Sequence, residues 1–168
     1  MNTDIKRQRI INWEDPRIGA KQGSQMSGLD FLQAITAGEI APPPIMYLTG
    51  IVFAEVSEGE VIMTMEPDES HYNPIGTVHG GIIATICDSA ASCAVHTVLP
   101  LGMGYTTLEL KTNYVRPVTI QTGMMRCVGT VIHSGRRVAT SEARLMDMEG
   151  KLYAHAIATC MVFPISGG

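Results

Sequence analysis

The sequence predicts an α+β domain in which an antiparallel sheet lays one face against a single long helix. Two strand-like runs flank a tight turn at Gly59, one stretch of helical periodicity follows, and four more strand-like segments close the chain. Strands separated by short turns favour antiparallel pairing, and the helix between them needs one sheet face to cover it. At 168 residues the chain has room for one hydrophobic core and not for two independent enzyme domains.

The first 44 residues differ from the rest and read as an N-terminal extension with one short helix, ahead of a main domain over 45–168. In SGLDFLQAITAGEI, Ser27 and Asp30 have capping spacing, Leu29, Phe31, Leu32 and Ile35 make one apolar face, and Gly38 closes the helix. Pro42, Pro43 and Pro44 forbid continuation and predict a stiff extended connection. From Met46, MYLTGIVFAEV and EVIMTME read as strands joined by a hairpin over SEGE. Helical spacing then runs from near His79 to near Leu99, where Pro100 and Gly102 stop it. YTTLELKTNYV, GMMRCVGTVIH, RRVATSEARLMD and KLYAHAIATCMVF make a predicted meander of four strands, divided at Arg116 and Pro117, at SGR and at MEG.

Composition excludes several classes of function. With 12 basic against 16 acidic side chains the formal charge is -4, and beyond a short KRQR run like charges do not cluster, so no nucleic-acid partner is expected. Apolar residues make up 45% and charged ones only 17%, which predicts that another copy of the chain covers part of the surface. The N-terminus lacks an apolar core of signal-peptide length, and no run of about 18 uncharged apolar residues occurs, so no membrane partner is expected and the protein reads as cytoplasmic. Cys87, Cys93, Cys127 and Cys160 lie in apolar surroundings without CxxC spacing, as reduced core thiols do. No Gly-rich phosphate loop, GxSxG elbow or HExxH helix is present, and His71, His79, Asp88 and His96 match no compact metal-ligand spacing.

The stretch NPIGTVHGGIIATICD, from Asn73 to Asp88, carries the candidate chemistry. On its helix, Ile83, Ile86, Ala90, Cys93 and Thr97 recur as one apolar face, while Thr85, Asp88, Ser89, Ser92 and His96 gather on another. No Lys or Arg lies within a turn of Asp88. An acid among such neighbours must be hydrogen-bonded, face a cavity or carry a raised pKa; the plain alternative is a solvated surface Asp. The pair Gly80 and Gly81 bares backbone N–H groups at the positive end of the helix dipole, an oxyanion hole in outline; the plain alternative is a turn that needs positive φ. Asn73, just before Pro74, is a common turn residue and gains interest if its amide points into the same cavity. His79 is either a base or an orienting group at the helix start. Gly80 and Asp88 are eight residues apart, about 12 Å along one helix, too far to serve one carbonyl. A shared site therefore needs two copies with antiparallel helices across a twofold axis, the small residues Ala84, Ala91 and Ser92 permitting the approach.

The run Asn73, Gly76, His79, Gly80, Gly81 and Asp88, followed by TTLELKTNYVRP and GRRVAT, resembles the hotdog-fold acyl-CoA thioesterases of the phenylacetate-pathway (PaaI-like) type. The resemblance extends from about Ser27 to Phe163. It implies a sheet wrapped around one central helix, homodimers or dimers of dimers with a composite site, a medium-chain or aryl acyl-CoA substrate, and no metal or cofactor beyond coenzyme A in the substrate. It implies further that Asp88 acts as nucleophile or as general base on water, and that the Gly80 N–H polarises the thioester carbonyl. Asn73 then supports that carbonyl or places the water, and Thr107, or its neighbour Thr106, helps hold the water. His79, Gly81 and Ser92 fall on the substrate-binding surface. Arg136 and Arg137 meet the phosphates of coenzyme A or form a solvated hairpin edge, with Arg116 a further candidate. Met63, Met65, Met124 and Met125 either line an acyl tunnel or fill the core.

Because a thiolate leaves readily, a carboxylate and a helix terminus suffice for thioester hydrolysis. Two alternatives use the same scaffold. Hydration of an enoyl thioester pairs a His with an acid, and a non-catalytic acyl-CoA-binding module needs an attached partner or DNA-binding unit, whereas the first forty residues contain no helix-turn-helix.

Overall fold

The structure, a computed structural model, describes residues 7–165; Lys6 of the KRQR run lies outside them. Three short helices come first: α1 (Pro16–Gly23), α2 (Gly28–Thr36) and α3 (Pro44–Thr49). Strands β1 (Ile51–Ser57) and β2 (Glu60–Met65) form the expected hairpin, with Gly59 at positive φ in its turn. The long helix α4 (Gly80–Thr97) follows, then β3 (Met103–Tyr114), β4 (Met125–Ser134), β5 (Val138–Asp147) and β6 (Leu152–Pro164). All six strands pair antiparallel in one sheet of order β1-β2-β4-β5-β6-β3. The predicted class and the single long helix against one sheet face are both present. No helix among the described residues is long and apolar enough to cross a membrane.

Three expectations are corrected. The extension holds more than one short helix, because Asp15 caps a further helix, α1, with Pro16 at its first position. The triple proline does not stay extended: Pro44 begins α3, its ring pre-setting the helical φ, and Gly50 ends that helix in the left-handed conformation. Residues Met46 to Thr49 are therefore helical, and β1 starts only at Ile51. The last four strands are not a simple meander either. Only β4, β5 and β6 follow one another, while β3 pairs with β6 at the sheet edge. Residues 115–124 carry the chain back so that β4 can pair with β2, anchored by the Val78 N–H on the Val118 carbonyl and the Ile120 N–H on the Tyr72 hydroxyl.

Close packing places α4. The sheet face beneath it is lined by Ala139, Ala143, Ala154, Ala156 and Ala158, all without solvent exposure, and the helix answers with Ala90, Ala91 and Ala94. At Gly129 of β4 the two backbones meet so closely that an added Cβ would lie 2.1 Å from the Ala90 carbonyl oxygen. Large side chains fill the rest, with Met63, Met65 and Met125 buried as core and Met124 exposed. Ala91 therefore faces the sheet of its own protomer, and so cannot be a surface for a second helix. The C-terminal end of α4 is tied down by the Gly59 N–H, which donates to Thr97 Oγ1 at 2.7 Å. Helix α2, capped by Ser27 as expected, buries Leu32 and Ile35 against the same core. At its start an added Cβ on Gly28 would lie 1.8 Å from the His96 carbonyl, and the Gly28 N–H donates to the Leu99 carbonyl at 3.1 Å.

Gly129→Ala is expected to lower stability by about 2 kcal/mol or more, since neither backbone can yield without opening the sheet. Urea unfolding of the variant against the parent measures the loss.

Candidate active site

The loop before α4 is held by Asn73. Its Oδ1 accepts from the N–H groups of Ile75 at 3.0 Å and Thr77 at 3.3 Å, and its Nδ2 donates to Thr77 Oγ1 at 2.9 Å. The Asn73 N–H also donates to the Thr77 carbonyl at 2.8 Å, and Gly76 takes the positive φ the turn requires. The amide expected to support a carbonyl or place a water is thus engaged in closing its own loop.

At the helix start His79 is the N-cap. Its Nδ1 accepts from the Gly81 N–H at 2.9 Å, the position a Ser or Asp side chain usually fills. That bond occupies the Gly81 N–H and the His79 Nδ1, while Nε2 of the exposed ring has no partner among the described residues. The Gly80 N–H has no acceptor among the described residues, and it sits where the helix dipole is most positive. Tyr114 at the end of β3 frames it. The phenol donates to the Gly80 carbonyl at 3.0 Å, and an added Cβ at Gly80 would come within 3.3 Å of the ring. A cavity of about 270 Å³ opens here, walled by Gly80, Ile83, Tyr114, Arg116 and Val118 among others.

Asp88 lies two turns further along α4, half-buried beneath β3. Thr107 Oγ1 donates to its Oδ1 at 2.9 Å, the one protein hydrogen bond that this carboxylate receives among the described residues. Of the three expectations for an acid in this setting, the hydrogen bond is present. Oδ2 keeps its lone pairs free for water or substrate. The strand register shifts just after Thr107, leaving Leu108 as an exposed bulge next to the acid. Because side chains alternate along β3, Thr106 points to the opposite, exposed face, and the choice between the two threonines goes to Thr107. Ser92, one turn past Asp88, is buried inside the protomer and not on its surface.

The arginines spread out. Arg116 stands at the Gly80 cavity and donates to the Leu152 carbonyl. Arg136 and Arg137 occupy the exposed β4–β5 turn without an ion pair among the described residues. Thr107 pairs with Cys160 and Cys160 with Ala139, so Arg137 lies two strands across and two residues along from the residue that holds Asp88.

Residues 75–154 match the sequence model of the thioesterase superfamily. A protein of Saccharolobus solfataricus named as an esterase is 31% identical over 104 residues, covering 62% of this chain and 72% of that protein. The chain belongs to the thioesterase superfamily. A 1,4-dihydroxy-2-naphthoyl-CoA hydrolase of Listeria monocytogenes is 25% identical over 113 residues, 67% of this chain and 89% of that one. Among solved structures, a phenylacetic acid degradation-related protein from Ralstonia eutropha JMP134 superposes with a TM-score of 0.70 at 28% identity, covering 77% of this chain and 98% of the other. The matched residues include Gly80, Asp88 and Thr107 and leave Asn73 and the N-terminal helices outside.

Reasoning from the sequence missed Tyr114, which frames Gly80 only through a contact 34 residues away in the chain. It also missed the cluster of His96, Phe31 and Tyr105. The His96 ring lies 5.8 Å from that of Phe31 and 5.1 Å from that of Tyr105, and burial takes its pKa from 6.5 down to about 4. Periodicity placed His96 on the polar side of α4 but carried no sign that α2 would cover it.

Between pH 6.5 and 4 the unfolded chain binds a proton at this histidine and the folded one does not, so stability falls as pH drops through that window and levels off below it. His71, lowered first by burial, adds in the same direction. The loss attributable to His96 is expected to be on the order of 3 kcal/mol. Thermal melts from pH 7 to 4 should show a shallower decline for His96→Phe than for the parent.

Proposed function

We propose that the protein is a cytoplasmic acyl-CoA thioesterase that hydrolyses a medium-chain or aryl acyl-CoA at a site shared by two protomers. The observation that carries this reading is the division of labour along α4. A free N–H at Gly80 marks one end, and a hydrogen-bonded carboxylate with one open oxygen lies about 12 Å away. The thioester oxygen takes the Gly80 N–H, where the helix dipole favours the charge that grows on it. Asp88 of the partner subunit takes a proton from an attacking water, or attacks the carbonyl itself, through the oxygen that Thr107 leaves free. The C–S bond then breaks, in the second case leaving an acyl anhydride on Asp88 that a water molecule hydrolyses to the free acid; the departing thiolate needs little protonation, so neither metal nor cofactor is required. In this reading Arg136, Arg137 and Arg116 meet the phosphates of coenzyme A, for which a planar guanidinium is well suited. The naphthoyl-CoA hydrolase among the relatives supports the carrier and the aryl class. His79 stands nine residues from Asp88 with its Nδ1 engaged, so nothing within the protomer favours the His–acid pair of a hydratase.

Strand β3 supports the pairing. Its outer edge has no strand partner among the described residues, and it runs for 12 residues, a long template for another chain. Tyr114 near one end frames Gly80, and Thr107 near the other holds Asp88. Antiparallel pairing of two β3 strands about a twofold axis near Lys111 brings the Thr107 end of one opposite the Tyr114 end of the other.

Two outcomes test these points. In a thiol-release assay over a panel of acyl-CoAs, Asp88→Asn should lose about a thousandfold or more in kcat while remaining folded and paired; near-normal turnover would remove Asp88 from the chemistry. Lys111→Cys should form a symmetric disulfide under mild oxidation, since residues paired across such an axis lie about 5 Å apart. Thr106→Cys, displaced from its mate by about 30 Å in that register, should not.

A further inference from the structure

A second cavity, of about 380 Å³, lies between the N-terminal helices and the C-terminal half of α4. Ile18 of α1, Phe31 and Ile35 of α2 and Phe53 of β1 form its walls. Cys93, His96 and Tyr105 form its floor. Side chains in a well-packed interior leave few voids larger than a water molecule, and this space is in the range that small-molecule sites occupy.

The floor lies in line with Asp88. Helix α4 and strand β3 run side by side in opposite directions, and their contacts follow in order: Gly80 with Tyr114, Asp88 with Thr107, His96 with Tyr105. Tyr105 is two residues from Thr107 on the same face of β3, and His96 is eight residues, about 12 Å, beyond Asp88. The cavity floor thus lies beyond Asp88 on the same helix–strand seam, with Ser92 and the Tyr105 hydroxyl standing between the two.

The chemistry of the lining selects what can enter. Neither ring nitrogen of His96 has a hydrogen-bonding partner among the described residues, and the Tyr105 hydroxyl meets the Cys93 thiol at 3.8 Å and the Ser92 side chain. Burial keeps all three uncharged at neutral pH, pushing the thiol up to about 12, the phenol well above its usual range and the imidazole down to about 4. Glu14 and Asp15 stand at the rim, the latter paired with Arg17. Nothing in the lining compensates an anion.

We propose that this cavity receives the far end of an uncharged acyl chain, and that the N-terminal helices are the wall that measures acyl length. The assignment rests on the thioesterase reading for the position of the carbonyl. It goes beyond that reading by giving acyl selectivity to α1 and α2 and by excluding acyl groups with a terminal carboxylate.

Ala20 of α1 lines the cavity on a helix with no buried residue, so Ala20→Phe fills space without disturbing the core, and Ala41→Phe does so from another wall. For the parent, kcat/KM over straight-chain acyl-CoAs should climb about fourfold per methylene beyond butanoyl until the cavity is full. Each variant should keep butanoyl-CoA turnover within about twofold and lose about tenfold or more with decanoyl-CoA. Adipoyl-CoA should be about tenfold poorer than hexanoyl-CoA, or worse, since its terminal charge would be stranded. Independently of turnover, 1-octanol should shift the fluorescence of Trp13, the single tryptophan and the neighbour of Glu14, in the parent and not in Ala20→Phe. Chain-length profiles identical in parent and both variants, or an octanol response that survives cavity filling, would overturn the assignment. Octanol binding without hydrolysis of any acyl-CoA would uphold the cavity and remove the thioesterase reading. Hydrolysis with a flat chain-length profile would do the reverse.

Discussion

The close approach of α4 to the sheet at Gly129 governs the rest of the molecule. With no side chain between them, the β4 backbone lies against the peptide that joins Ala90 to Ala91, and the alanines of β5 and β6 extend that contact across the inner face. A helix so near the sheet cannot rotate without driving a carbonyl into a strand. Its azimuth is therefore settled, and with it the direction of every side chain on it. Asp88 comes to lie beneath β3, where Thr107 can reach it, and Gly80 comes to lie at the end of the same strand, against Tyr114. The hydrogen bond from Thr107 orients this acid, and an oriented carboxylate is preorganised rather than merely present.

On the thioesterase reading proposed above, distance along the helix calls for two subunits. Two turns separate the N–H that can take an oxyanion from the carboxylate that can move a proton, and a rigid helix offers no means to shorten that separation. One protomer holds both halves of a catalytic device at positions where they cannot cooperate. In that reading the free edge of β3 supplies the remedy, because the strand that holds both halves in place has no strand partner on its outer side among the described residues. Site and association are in this sense one feature. The long β3 edge, if left bare, would be an aggregation hazard in a chain that is 45% apolar.

Much of this was legible in the sequence, and the exceptions have physical causes. The helix from Gly80, the hairpin at Gly59, the strand segments and the Ser27 cap are local patterns, set by residues within a few positions of one another. Asp88 was also legible as a candidate, since an unpaired acid in an apolar helix is a local anomaly, whereas Thr107 came only from the resemblance to a family. Strand order was not. Whether β3 joins β4 or β6 depends on how residues 115–124 cross the end of the sheet, and no turn residue encodes that path. The α3 segment misled because Ile45, Tyr47 and Leu48 suit a strand, while Pro44 and Gly50, which start and stop the helix, act together only when both ends are considered. At His79 and Asn73 a residue type that suits chemistry equally suits a cap or a loop, and only the partner atoms decide.

The N-terminal helices are bound to the same constraint. Gly28 seats α2 directly on the carbonyl of His96, in the last turn of α4, and the Gly28 N–H closes on the Leu99 carbonyl just beyond. A side chain at that glycine would lift α2 from the helix and uncover His96. The tight sheet contact at Gly129 fixes the middle of α4, and the tight contact at Gly28 fixes what stands over its end. Two glycines, one on each side of the helix, thus place the reacting acid and the apolar cavity beyond it within one rigid frame. In the proposed reading, reach from the carbonyl to the cavity floor is then set by α4, and the walls contributed by α1, α2 and the segment around Ala41 can change without moving the chemistry. If the cavity takes the acyl chain as proposed, substrate range can drift through these N-terminal residues while Gly80, Asp88 and Thr107 stay where they are.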